Sequence, residues 1–455
     1  MRELFDRLVE KYPAAVIVRA SMENILSPEF VDGIFQQHAK RQCKRSLLFS
    51  TIVEMMCLVV SRMTPSINAS YRLLRESITV SVKSVYNKIN KVEPEVSRAL
   101  VRGTADRSRD VLAALRARWP SPIPGVSVRI LDGNHHPASE HRLKPLRDVA
   151  AATLPGTSLV IYDPACRLVV DVIPCEDAHR QERSILLELL DTVQPEEAWI
   201  ADRNFCTTTF LFALIRKNAF FVVRRHLQLR CEELSPLKRR GQIMTGVVYE
   251  QKVRLHDTDG NHHDCRHIVV KLDAATRDGD REVRLFSNLP MDRASARVIA
   301  DAYRDRWHLE CVNAELVRYL NSEQTSLGSP PATLFAFCLS LVSFNLLTIV
   351  QGALRAAHGA KRTEDNISNY HLAHQVRFAW AGTELVGDSR WTKMFGNLTP
   401  LQLARKLKAL AKRVNLDTLK KDRRGPKKPR TPRTRYTDTP HVATYRILNE
   451  NKAAS

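Results

Sequence analysis

Between Trp119 and Gly125 the chain reads Trp-Pro-Ser-Pro-Ile-Pro-Gly, and the hydrophobic rhythm differs on its two sides. Before this break, apolar residues recur at helical spacing, as in Leu47, Leu48, Ile52, Met55, Met56 and Val59. After it, Val126 to Gly133 alternates and stops at a turn, as a half-buried strand does. Prolines so dense cannot continue a helix, so a helical region over residues 1–120 must hand over to a sheet-bearing one. Strand signals follow at Ser158–Tyr162, Leu168–Pro174, Ala198–Asp202 and Phe220–Arg224. Helices are expected over Asp177–Val193 and Thr207–Lys217.

Strand, strand, strand, helix, strand, helix, strand is an α/β grammar, and this order is that of an RNase H-like mixed sheet. Its first part would span residues 121–226. Residues 227–290 then interrupt with turn-rich, strand-like segments (Gly246–Tyr249, Lys252–Leu255, His267–Leu272, Val283–Phe286) and read as an all-β insertion. The fold would resume over 291–355, opening with a long helix from about Ala294 to Leu320. Residues 356–455 would form a C-terminal helical region ending in a basic arm. Thr333 to Val350 is nearly long enough to span a bilayer, but it contains Ser340, Ser343, Asn345 and Thr348 and no basic cluster brackets it closely. A buried core helix is the better reading, with no membrane partner.

Lys and Arg number 70 against 49 Asp and Glu, a net charge of +21. Such a chain attracts polyanions, and nucleic acid is the commonest of them. The stretch from Lys420 to Arg430 carries Lys420, Lys421, Arg423, Arg424, Lys427 and Lys428, cannot build a core, and should seek phosphates. Ser81 to Asn90 is a candidate recognition helix, although a solvated helix face has the same pattern. The nine cysteines include no paired Cys-x-x-Cys spacing, which suggests reduced thiols. With no signal-peptide pattern at the N-terminus, a cytoplasmic, nucleoid-associated bacterial protein is expected.

Phosphodiester chemistry commonly uses two divalent ions roughly 4 Å apart. Hard Mg²⁺ prefers a few carboxylate oxygens, with water and phosphate completing its shell. Asp132 ends the first expected strand and Asp202 ends the fourth, and neighbouring strands would bring both to one edge of the sheet. Tyr303, Arg306 and Glu310 stand at i, i+3 and i+7, on one helical face. An acid, a guanidinium and a phenol in one stripe can bind metal and phosphate together. Taken singly, each is also compatible with an ordinary strand end or a solvated helix. Arg203, beside Asp202, would steady DNA or pair with a neighbouring acid. His135 and His136 beside Asp132 have substrate and structural readings alike. His262-His-Asp-Cys-Arg-His is more simply a polar hairpin tip than a zinc site.

Ile130-Leu-Asp-Gly-Asn-His-His, Ile200-Ala-Asp-Arg-Asn-Phe and Tyr303-Arg-Asp-Arg-Trp-His-Leu-Glu resemble the three motifs of the DDE transposases of the insertion-sequence 4 family. The resemblance covers roughly residues 126–350 and extends loosely to His441-Val-Ala-Thr. It implies an RNase H-like core, a β-rich insertion before the glutamate, and cut-and-paste DNA chemistry in a dimeric synaptic complex. The implied metal ligands are Asp132, Asp202 and Glu310, holding two Mg²⁺ ions with Mn²⁺ as an alternative. The implied DNA contacts are Tyr303 and Arg306, and the partners are terminal inverted repeats and target duplex. The family signature places a Lys seven residues past the glutamate. Here Val317 stands there, with Arg318 adjacent as the substitute candidate. Relatives that pass through a DNA hairpin can use an insertion tryptophan; this insertion has none, leaving Tyr249 and Phe286. Two rival readings are a repurposed DNA-binding relative without catalysis and an RNase H-fold nuclease without strand transfer.

Overall fold

The computed structural model describes residues 2–40, 47–276, 279–364, 366–422, 425 and 441–453. The expected handover occurs at the proline-rich break. Among the described residues, seven α-helices precede it, from Arg2–Lys11 to the 21-residue Pro94–Ala114. Three of them start on a proline, whose missing N–H costs nothing at a helix N-terminus. Ser81 caps the short helix Val82–Ile89, its side chain accepting from the Ser84 amide. Within that helix Lys88 is engaged by the fold: its Nζ donates to the Leu47 carbonyl and lies over the Phe35 ring.

The main sheet is built from β1 (Ser127–His135), β3 (Thr157–Asp163), β4 (Leu168–Cys175), β5 (Glu197–Ala201) and β6 (Phe220–Arg224). The order β4-β3-β1-β5-β6 makes it mixed: β4, β3 and β1 are antiparallel neighbours, while β1, β5 and β6 run parallel. Alternation assigns the two faces. Val128, Ile130, Ala198, Ile200 and Val222 enter one core cluster, and Leu131, Trp199, Ala201, Phe221 and Val223 enter another. Residues 232–287 supply β7 (Glu232–Glu233), β8 (Lys238–Ile243), β9 (Gly246–His256), β10 (His262–Leu272) and β11 (Glu282–Ser287). These strands continue the same sheet, because β11 pairs antiparallel with β6. The short strand β2 (Ala152–Leu154), absent from the sequence reading, pairs in parallel with β12 (His441–Ala443).

Pro330–His358 is a 29-residue helix through the centre of the molecule. It is long and apolar enough to cross a membrane, but 94% of its most apolar window is buried within the protein. Its polar residues serve the fold. Asn345 accepts from the Val169 amide (2.9 Å) and donates to the Val169 carbonyl (2.8 Å), satisfying backbone on the outer strand β4.

Two helical expectations require correction. The stretch from Asp177 to Val193 holds only the short helix Glu182–Ile185 and a 3₁₀ turn, Leu186–Leu189. Ile185, Leu186, Leu189 and Val193 are still buried, since a tighter turn can present the same apolar side chains. The long helix from Ala294 is instead two helices, Ala296–Arg304 and Trp307–Tyr319. At their junction the ladder tightens: the Arg306 amide donates to the Tyr303 carbonyl, and the Leu309 amide to the Arg306 carbonyl.

Candidate active site

The pairing of β1 with β5 brings Leu131 level with Ala201, so Asp132 and Asp202 stand at the same height; Asp202 directly follows β5, whereas Asp132, expected at a strand end, lies within β1, which continues to His135 against β3. Asp132 is half-buried, and its Oδ1 accepts from the following Gly133 amide at 3.1 Å. Ala201 is in turn level with Val223 on β6, which puts Arg224 one strand further along the same row. Sequence reading missed Arg224. Arg224 pairs with Asp280 at 2.6 Å and lies close enough for Asp202 and Tyr303 to raise its pKa, against the opposing effect of its burial.

The junction between the two late helices closes over this row. The Tyr303 hydroxyl donates to Asp202 Oδ1 at 3.1 Å. Arg306 reaches Asp132 Oδ2 with Nη1 (3.5 Å) and Glu310 Oε1 with Nη2 (2.7 Å). The stripe thus survives the helix break, because the tightened turn keeps Tyr303 and Arg306 on the side facing the strand ends. Its electrostatics are those of a crowded acidic site. Burial, reinforced by the charges of Glu310 and Asp202 and opposed by Arg306, pushes the Asp132 carboxyl up to about 6. Burial and the Asp202 charge likewise raise the Tyr303 phenol, keeping it a proton donor. Burial works against the Arg306 charge, but Tyr303, Asp132, Asp202 and Glu310 together hold its pKa above the usual value.

Asp132, Asp202 and Glu310 offer carboxylate oxygens, the kind of hard ligand that Mg²⁺ prefers. Among the described residues no three His, Cys, Asp or Glu side chains are grouped to hold an ion as they stand. A cation already lies between the acids, in the form of the Arg306 guanidinium. That guanidinium holds positive charge between Asp132 and Glu310, and carboxylate oxygens placed this way fit a divalent ion in chemistry.

The other candidates lie apart from this cluster. Arg203 is exposed at the turn after Asp202. Arg318 is exposed and lines a cleft of about 910 Å³ with Arg167, Glu315, Tyr319 and Arg355. In that cleft Glu315, pushed up by burial, accepts from the Asn369 amide nitrogen (2.8 Å). Lys420 is exposed, and Lys421 donates from Nζ to the Glu364 carbonyl at 2.8 Å. Arg423, Arg424, Lys427 and Lys428 lie outside the described residues. His136 is structural: it is buried, shares a hydrogen bond with Ser158 (3.0 Å), and is pushed down to about 3, so it stays neutral. In the histidine-rich hairpin, Asp264 pairs with Arg254 (2.7 Å) and Lys252 (3.3 Å), while Cys265 and His267 are buried. Phe286 is buried against His267 and cannot meet DNA; Tyr249 lies under the Lys271 ammonium.

Residues 125–346 match the transposase DDE domain. The match spans Asp132, Asp202 and Glu310 and supports a transposase function. No curated protein sequence matches the chain. Among solved structures, a cryo-EM structure of a piggyBac transposase synaptic complex with hairpin DNA is similar over 89% of this chain and 86% of that chain. Its sequence identity is 9% and the TM-score 0.39, a likeness too distant to carry an argument.

Proposed function

We propose that this chain is a cut-and-paste DNA transposase of the insertion-sequence 4 kind, with Asp132, Asp202 and Glu310 as its metal-binding acids. The observation that carries the reading is the closure of Tyr303 and Arg306 over two aspartates on adjacent parallel strands, with Glu310 on the same guanidinium. The strand order β4-β3-β1-β5-β6 supports an RNase H-like core. The three acids would hold two Mg²⁺ ions, or Mn²⁺, which when bound activate the attacking oxygen and stabilise the leaving one.

The protein's own groups do the rest. Tyr303 fixes one Asp202 oxygen through its hydroxyl and leaves the other free to bind. Arg306 holds Asp132 and Glu310 in register until DNA arrives, and its planar fork then suits the oxygens of a phosphate near the scissile bond. The basic surface, with a charge of +21 overall, supplies affinity for terminal inverted repeats and target duplex, and two copies would act together on paired ends.

The test uses end-containing duplex and Mg²⁺. Asp132→Ala, Asp202→Ala and Glu310→Ala should each abolish strand cleavage while DNA binding persists, because carboxylates hold metal and Lys or Arg hold phosphate. Strand transfer from precleaved ends separates a transposase from a simple nuclease. A variant that cuts near the wild-type rate removes that residue from the site.

A further inference from the structure

Glu182 and Arg183 are consecutive residues at the start of the short helix Glu182–Ile185, and each touches the segment carrying a different aspartate. Glu182 packs directly on Gly133, the residue after Asp132. A Cβ placed on Gly133 would lie 1.8 Å from Glu182 Oε1 and 2.5 Å from its Cδ. The side chain of Glu182 is only 14% exposed, and its Oε1 lies 3.5 Å from His135 Nε2. His135 is held on its other nitrogen by the Thr157 hydroxyl of β3, at 3.3 Å. Arg183 turns the opposite way, and its Nε donates to the Asn204 carbonyl at 2.9 Å, two residues past Asp202.

Strand alternation puts Gly133 and His135 on the face of β1 opposite Asp132. Glu182 therefore approaches from behind the acids and cannot share an ion with Asp132 without crossing the strand. Its place explains the glycine. A side chain at position 133 would push the Glu182 carboxylate out of its present place, so Gly133 permits this close approach.

Resting on the proposed active site, we infer that Glu182 and Arg183 are positioning residues: one short turn braces β1 beside Asp132 and the loop after Asp202 against each other. β1 and β5 are paired only up to Leu131 and Ala201, so beyond that point the sheet no longer fixes the separation of the two acids. The brace takes over where the ladder stops. A misplacement of about 1 Å at such a site can cost roughly a hundredfold in rate.

The experiment compares Glu182→Ala, Glu182→Gln and Arg183→Ala in the full chain by hydrogen–deuterium exchange and by single-turnover cleavage of end DNA in Mg²⁺. Glu182→Ala and Arg183→Ala should speed exchange over residues 130–136 and 201–206 and lower the cleavage rate roughly a hundredfold. DNA affinity and the melting temperature should stay close to wild type. Glu182→Gln keeps the shape and an acceptor oxygen, so it should cut within about threefold of wild type if packing is what matters. Unchanged exchange in the alanine variants overturns the brace. A Gln variant as slow as the Ala variant also overturns it, because the charge would then be what acts. Asp132→Ala is run alongside: if it still cuts, the metal-site reading fails, while the exchange data decide the brace on their own.

Discussion

Replacing Asp132 with Asn should stabilise the protein at alkaline pH and abolish its reaction. The Asp132 carboxyl is pushed up to about 6 from an ordinary 3.8, chiefly by burial. At about 1.4 kcal/mol per pH unit, that interval corresponds to a penalty on the order of 3 kcal/mol for the ionised form in the folded state. The folded state binds this proton more tightly than the unfolded chain does. The associated stability is thus fully present below about pH 4 and is lost as pH rises through about 6. Asn removes the charge at every pH and keeps an acceptor for Arg306. The opposing pull of Arg306 is already contained in that net shift. Asp132→Asn should therefore match wild type below about pH 4 and exceed it by about 3 kcal/mol at pH 8.

Urea unfolding across that pH range, in the absence of divalent ions, measures the difference. Adding Mg²⁺ at pH 8 should then raise the stability of wild type and leave the variant unmoved, because ligand binding to the folded state alone shifts the equilibrium. A stability difference that is independent of pH would refute the argument from crowded negative charge. Equal stabilisation of both proteins by Mg²⁺ would refute Asp132 as a ligand.

Arg306→Lys should keep the net charge and the circular dichroism spectrum yet cut end DNA at least tenfold more slowly, since one ammonium cannot reproduce the fork that spans Asp132 and Glu310; a wild-type single-turnover rate would show that the fork serves the fold and not the cleavage step. Tyr303→Phe removes one hydrogen bond to Asp202 and leaves the ring packed, so it should slow cleavage by about tenfold or less, the equivalent of about 0.5–1.5 kcal/mol. DNA affinity should fall steeply with added salt, and truncation from Lys420 onward should flatten the log–log slope; an unchanged slope would show that this segment does not touch DNA.

The parts of this molecule written locally in the chain were legible there, and the parts that depend on distant partners were not. Alternation located the strands carrying Asp132 and Asp202, and β-pairing set the two acids level, although Asp132 lies within β1 rather than at its end. The spacing of Tyr303, Arg306 and Glu310 located their shared face even though the helix is broken beneath them. That break left the periodicity intact because a single tightened turn rotates the chain by far less than a loop would. Arg224 was invisible for a different reason. Its place in the row depends on the register of β6 against β5, and single-sequence patterns do not encode register between strands. The same holds for Glu182. Its residue type reads as an ordinary surface acid on an expected amphipathic helix, whereas the shortened turn and its packing on Gly133 take it out of solvent. Gly133 itself carried the missing information. A glycine directly after a strand-end acid reads as a turn signal, yet Gly133 lies within β1 and pairs with Leu159, so the chain continues extended there. What glycine permits at this position is close approach by another side chain, a second physical reason for glycine that sequence alone cannot separate from the first.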